Sequence, residues 1–259
     1  MTHWIEVIIL GIIEGITEFL PISSTGHLLI AQNWFNPRSD LFNFVVQSGA
    51  VLAVITVFWR RILELFRTLK SRDTQSYLGK LALAFFIGAA GGLVLKKLDW
   101  ELPENVKPVA LALLIGGVVI IFVERWLRTR KLSDEITWIV AVAVGFAQLI
   151  ALVFPGTSRS GATILMALIL GANRVKATEF SFLLGVPSLL AAGGYETMSY
   201  FMSDNPPEED WNLVLVGTLV SAVTAFIAVK WLLRFLQSHT FVGFGWYRIG
   251  LGVLLLLLL

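Results

Sequence analysis

The stretch EGITEFLPISSTGHLLI, residues 14–30, decides how the chain is built. It sets two glutamates, two serines, two threonines and a histidine inside an otherwise apolar run. A bare carboxylate at mid-bilayer is costly and is found facing protein or a water-filled cavity. Pro21 breaks the run, and each arm around it is short of the roughly 17–25 residues a spanning helix needs. Irregular backbone at membrane depth needs the same shelter from lipid. Residues 4–34 therefore read as a re-entrant helix–loop–helix hairpin.

The composition around this hairpin is that of an integral membrane protein. Over 259 residues it is 56% hydrophobic with a mean hydropathy of +0.78, far less polar than a soluble domain of this size. The chain has no cysteine, so disulfides and thiol chemistry are excluded. The net charge is +2, and no basic stretch is interleaved with aromatics in the manner of nucleic-acid binders, so no nucleic-acid partner is expected. The N-terminus has no basic n-region, and the first apolar run is expected to be retained.

Charged flanks mark off full spans at roughly 42–60, 79–97, 107–124, 179–200, 211–235 and 241–259. A second broken apolar region, 136–172, is interrupted at Pro155 and reads as another hairpin. Basic residues cluster on one side of this topology, in 60–80 (Arg60, Arg61, Arg67, Lys70, Arg72, Lys80) and in 124–135 (Arg125, Arg128, Arg130, Lys131). The opposite side has Arg38, Lys96, Lys97 and Lys107 with the acidic loop SDNPPEED, so the first set is expected to be cytoplasmic. The halves also resemble each other: FLPISSTGH before LFNFVVQSGAVLAV parallels VFPGTSRSG before EFSFLLGVPSLLAA. The expected architecture is an all-α integral membrane protein, one membrane domain over 1–259. It is an inverted repeat (about 1–126 and 132–259), each half a re-entrant helix-loop-helix hairpin plus three transmembrane helices. In such repeats the site lies near the midplane, where the two breaks meet.

Glu14 and Glu18 are four residues apart and share a helix face, and Gly11 and Gly15 on the same helix permit close helix approach. After Pro21 come Ser23, Ser24, Thr25 and Gly26, the residue types of a helix N-terminus, where free N–H groups and positive partial charge suit a phosphate. His27 opens the returning arm. The second break repeats the device with Gly156, Thr157, Ser158, Ser160 and Gly161, and adds Arg159, whose guanidinium suits bidentate phosphate contact. Two carboxylates suit a hard divalent cation, Mg²⁺ or Ca²⁺, shared with substrate phosphate. The set is a kit for phosphoryl transfer. Plainer readings stand beside it: Ser23 as a helix cap, His27 as a hydrogen-bonding group of the fold, Arg159 as a structural partner of Glu14 or Glu18. Gln47 and Gln148 read as hydrogen bonds between helices.

EGITEFLPISSTGH and PGTSRSG resemble the two signature motifs of the bacterial undecaprenyl-pyrophosphate phosphatases, the bacitracin-resistance family. The likeness extends over most of the chain, including the final YRIGLGVLLLLLL helix. The resemblance implies hydrolysis of the terminal phosphate of undecaprenyl diphosphate, giving the monophosphate carrier lipid and inorganic phosphate, with a divalent metal. By position, Glu14 and Glu18 match the family's metal-associated glutamates, Ser24 its proposed nucleophile and His27 its motif histidine. Ser158 and Arg159 match its phosphate-binding pair. Whether Ser24 or water attacks first stays open. The resemblance also implies a multi-pass protein of the bacterial cytoplasmic (inner) membrane with its site facing the extracytoplasmic side, and a homodimer is compatible with it. The rival from another class is a transporter or lipid flippase with a midplane anion site.

Overall fold

The long apolar segments form helices that are apolar on both faces, the reverse of the one-sided pattern of soluble helices. The computed structural model describes every residue except 1, 33, 36–37, 99–105, 204–205, 207 and 259. Among the described residues the elements are α1 (Thr2–Thr17), α2 (Ser24–Gln32), α3 (Asp40–Val57), α4 (Trp59–Arg67), α5 (Arg72–Lys97), α6 (Val106–Leu127), α7 (Trp138–Val153), α8 (Arg159–Ile169), α9 (Arg174–Met202), α10 (Trp211–Phe235) and α11 (Val242–Leu258). On α10, Leu215, Leu219, Val223 and Ile227 form an exposed stripe, while Val214, Gly217, Ser221, Ala225 and Val229 are buried. Large apolar groups outside and small ones inside are the signature of a helix between lipid and protein.

Five helices, α3, α5, α6, α9 and α10, have the length and apolarity to cross a membrane. The sixth expected span is α11, with 17 helical residues. The region 60–80, read from sequence as a charged connection, instead contains α4 and the first turns of α5. Helix α4 carries Arg60, Arg61, Glu64 and Arg67 on a framework of Ile62, Leu65 and Phe66, and has no counterpart in the second half.

The two broken regions are helix pairs, as expected. Helices α1 and α7 have 16 residues each, a rise of about 24 Å that falls short of a bilayer core of about 30 Å. Each folds back on its short partner, α2 or α8. The ends of the second pair are tied together by Ser133, which donates its N–H to the Gly171 carbonyl at 2.8 Å and accepts from Asn173 N at 2.8 Å.

Packing crosses the two halves. Helix α1 packs chiefly on α10, α7 packs on α5, and α6 pairs with α11. Glycines set the closeness of these pairs. A Cβ on Gly15 would lie 2.4 Å from the Ser221 carbonyl oxygen of α10, and one on Gly117 would lie 2.6 Å from that of Gly245 on α11. The expectation that Gly11 and Gly15 admit a neighbouring backbone is met. Gln148 likewise bonds between helices, donating to the Ala84 carbonyl at 3.0 Å and accepting from Ser188 at 3.1 Å.

Candidate active site

The two breaks meet inside the protein. Ser160 Oγ, at the start of α8, donates to the Leu20 carbonyl of the first loop at 3.0 Å. Both loops also lie on Val109 of α6: a Cβ on Gly26 would be 3.3 Å from its Cγ1, and one on Gly156 would be 2.8 Å from its carbonyl oxygen. Gly156 has φ +90°, so this close approach and this backbone both require glycine.

Glu18 is the centre of the polar cluster. Its carboxylate is almost fully buried and takes three hydrogen bonds from three helices. Ser24 Oγ donates to Oε2 at 2.6 Å, Gln47 Nε2 donates to the same oxygen at 3.1 Å, and Arg159 donates to Oε1 at 3.0 Å. The two motifs thus converge on one carboxylate, with a side-chain ion pair between the halves of the chain. Gln47, assigned from sequence to a helix–helix bond, makes that bond to the site itself.

Glu14 lies one turn earlier on α1, beside Glu18, Gln47 and Arg159. It is fully buried, and neither carboxylate oxygen has a hydrogen-bond partner within the protein. An unmatched buried carboxylate is expensive unless something else meets its charge. Two neighbouring carboxylates, one of them unmatched, fit the oxygen preference of a hard divalent cation. Among the described residues no group of three or more histidine, cysteine, aspartate or glutamate side chains is gathered closely enough to hold a metal ion by itself.

The serines divide their work. Ser23 and Ser158 are caps: their hydroxyls accept the N–H groups of Gly26 at 3.2 Å and Gly161 at 3.1 Å. Ser160 is buried and bonded to the other loop, whereas Thr25 is exposed and Thr157 half-buried. Ser24 is the hydroxyl aimed at a carboxylate. His27 is not hydrogen-bonded to Ser24. Its Nδ1 faces the Ser23 carbonyl at 2.7 Å and its Nε2 faces the Tyr247 hydroxyl at 2.7 Å. A carbonyl only accepts, so Nδ1 carries the proton, and in the neutral ring Nε2 accepts from Tyr247.

Sequence reading missed two residues on α11, Tyr247 beside His27 and Arg248 beneath the loops. It also missed Gly185 on α9, where a Cβ would lie 2.7 Å from the Arg159 guanidinium. The signal for Arg248 was a lone arginine in an apolar helix, which by default marks function in a membrane protein.

A polytopic α-helical membrane protein with a buried acidic and arginine-bearing cluster between two broken helix pairs is a membrane enzyme or carrier of anionic ligands by class. More particularly, the chain belongs to the family described as Bacitracin resistance protein BacA, whose model matches residues 7–254. It is similar to the undecaprenyl-diphosphatase of Rhizobium etli, 53% identical over 255 residues that cover 98% of this chain and 96% of the relative. The undecaprenyl-diphosphatase of Xylella fastidiosa is 47% identical over 257 residues, covering 99% of this chain and 98% of the relative. That of Xanthomonas oryzae pv. oryzae is 46% identical over 258 residues, with 99% and 97% covered.

Proposed function

We propose that this protein hydrolyses undecaprenyl diphosphate to undecaprenyl phosphate and inorganic phosphate, regenerating the carrier lipid of cell-wall synthesis. The observation that carries the chemistry is the single carboxylate, Glu18, on which Ser24 of one motif and Arg159 of the other both converge. The relatives' names supply the substrate.

Arg159 holds Glu18 in the absence of substrate and transfers part of its planar fork to the terminal phosphate when the lipid enters. The first-turn N–H groups of α2 and α8 add positive partial charge around the same phosphate. Ser24 Oγ attacks the terminal phosphorus while its proton passes to Glu18 Oε2, the atom it already faces at 2.6 Å. The bond to the bridging oxygen breaks and undecaprenyl phosphate leaves, and water then releases phosphate from Ser24. His27, held between the Ser23 carbonyl and Tyr247, serves as the proton carrier of the second half-reaction. Glu14 and Glu18 would hold a divalent cation, which when bound supplies charge neutralisation for the diphosphate.

The two halves are read as inverted repeats, supported by the reciprocal packing of α1 on α10 and α7 on α5. The kinship with bacterial relatives supports a place in the bacterial inner membrane, and the charge asymmetry of the connections supports an orientation with the site reached from the extracytoplasmic side.

The test is phosphate release from a long-chain polyprenyl diphosphate by purified protein in detergent, with Mg²⁺, with EDTA, and with Ser24→Ala and Glu18→Gln. Release that chelator and both substitutions abolish supports the reading. Folded protein that binds the lipid and releases nothing would replace it with transport.

A further inference from the structure

Arg248 is 1% exposed, the largest of the fully buried side chains, and all its hydrogen bonds run to backbone carbonyls of three separate segments. One terminal nitrogen donates to Pro21 O at 3.2 Å and Thr157 O at 3.0 Å. The other donates to Gly156 O and Ala112 O, each at 3.0 Å, and Nε reaches Leu113 O at 3.4 Å. Among the described residues it forms no ion pair. A buried cation without a counter-ion is costly, so a chain that only needed to fill this space would do better with an apolar side chain. The fold also clears room for it, since a Cβ on Gly116 of α6 would lie 2.3 Å from its Nη2.

The carbonyls it holds are next to the chemistry. Pro21 lies three residues from both Glu18 and Ser24, and Thr157 lies two residues before Arg159. One planar group therefore clamps both loops to each other and to α6. We propose that Arg248 is a positioning residue that sets the register of the two half-sites, so that Ser24 and Glu18 face Arg159 at reacting distance. This rests on the phosphatase reading for its kinetic consequence. A displacement of about 1 Å in such a pair is enough for a loss on the order of 100-fold in rate. Lysine offers a point charge with three donors and cannot span carbonyls of three segments as the fork does.

The experiment compares wild type, Arg248→Lys and Gly116→Ala in detergent, with kcat, KM and thermal stability measured on each. Arg248→Lys should fold and lose about 100-fold in kcat with KM within about threefold. Gly116→Ala keeps the guanidinium but crowds it, and should lower kcat by roughly tenfold, so the inference stays testable if Arg248→Lys does not fold. A folded variant of either kind with wild-type kcat overturns the proposal, as does an activity loss that merely follows the fraction unfolded. Spin labels at Thr25→Cys and Thr157→Cys, introduced into a chain without native cysteine, give a readout independent of turnover. Their distance distribution should broaden on adding Arg248→Lys. An unchanged distribution overturns the clamp, and a wild type that releases no phosphate overturns only the phosphatase reading.

Discussion

Ser23 and Ser158 share one unusual backbone, φ 74° and 70°, and each uses its side chain to cap the N–H three residues onward. They are the only non-glycine residues with positive φ among those described. A left-handed non-glycine residue costs on the order of 1–2 kcal/mol, a strain that places Ser24 and Arg159 as the next residue in each loop. The same local device thus delivers the Ser24 hydroxyl in one half and the Arg159 guanidinium in the other.

Substitution at Ser158 separates strain, cap and ligand. Ser158→Gly relieves the backbone and loses the cap, so its stability should stay within about 1 kcal/mol of wild type. Ser158→Ala keeps the strain and loses the cap, costing about 1–2 kcal/mol. Thermal unfolding in detergent checks the order. If the hydroxyl also contacts phosphate, Ser158→Gly will raise KM despite its stability.

Glu14→Gln should dissociate stability from metal use. The amide can donate to the neighbouring Glu18 carboxylate, which an ionised Glu14 could not, so the melting temperature should hold or rise. The Mg²⁺ concentration for half-maximal phosphate release should rise by at least about tenfold. A titration unchanged from wild type would remove Glu14 from the metal site.

Gly185→Ala puts a methyl group 2.7 Å from the Arg159 guanidinium. Because that atom ends a flexible side chain, the fold can yield at little cost while the fork moves off its seat. A charge-assisted hydrogen bond is worth about 1.5–3 kcal/mol, so kcat/KM should fall by more than about tenfold with a near-normal melting temperature. Steady-state kinetics beside a thermal scan decide it.

Tyr247→Phe removes the hydroxyl on His27 Nε2. A neutral hydrogen bond is worth about 1 kcal/mol, so kcat should drop by about fivefold. In the His27→Ala background the same substitution should do nothing further, and a double-mutant cycle on kcat measures that coupling. Additive losses would separate the two residues.

Much of this site is legible in the motifs because its polar groups stand out against an apolar background. Glu14, Glu18, Ser24 and Arg159 are conspicuous for that reason, and Pro21 and Pro155 locate the breaks. The supporting residues are less legible because their partners are remote. Arg248 answers to carbonyls more than 90 positions away in the chain, and carbonyls carry no signature in the sequence. Gln47 looks like any amide in a helix until α1 is laid beside α3. The pairing of His27 with Tyr247 spans 220 positions, beyond the reach of any local pattern. Helix α4 is hard to read from sequence because a short, charged, amphipathic helix carries the same basic residues as a cytoplasmic connection.

The crossed packing of α1 on α10 has a consequence for biosynthesis. Ribosomes deliver α1 first, yet the helix that closes against its Gly11 and Gly15 face begins only at Trp211. Until that segment has been inserted, the Gly11 and Gly15 face of α1 lacks the helix that packs against it, although Ser24, Gln47 and Arg159 are already available to Glu18. The first helix to be translated is therefore among the last to be sealed, and chains arrested before Trp211 leave its glycine face for the insertion machinery to shield.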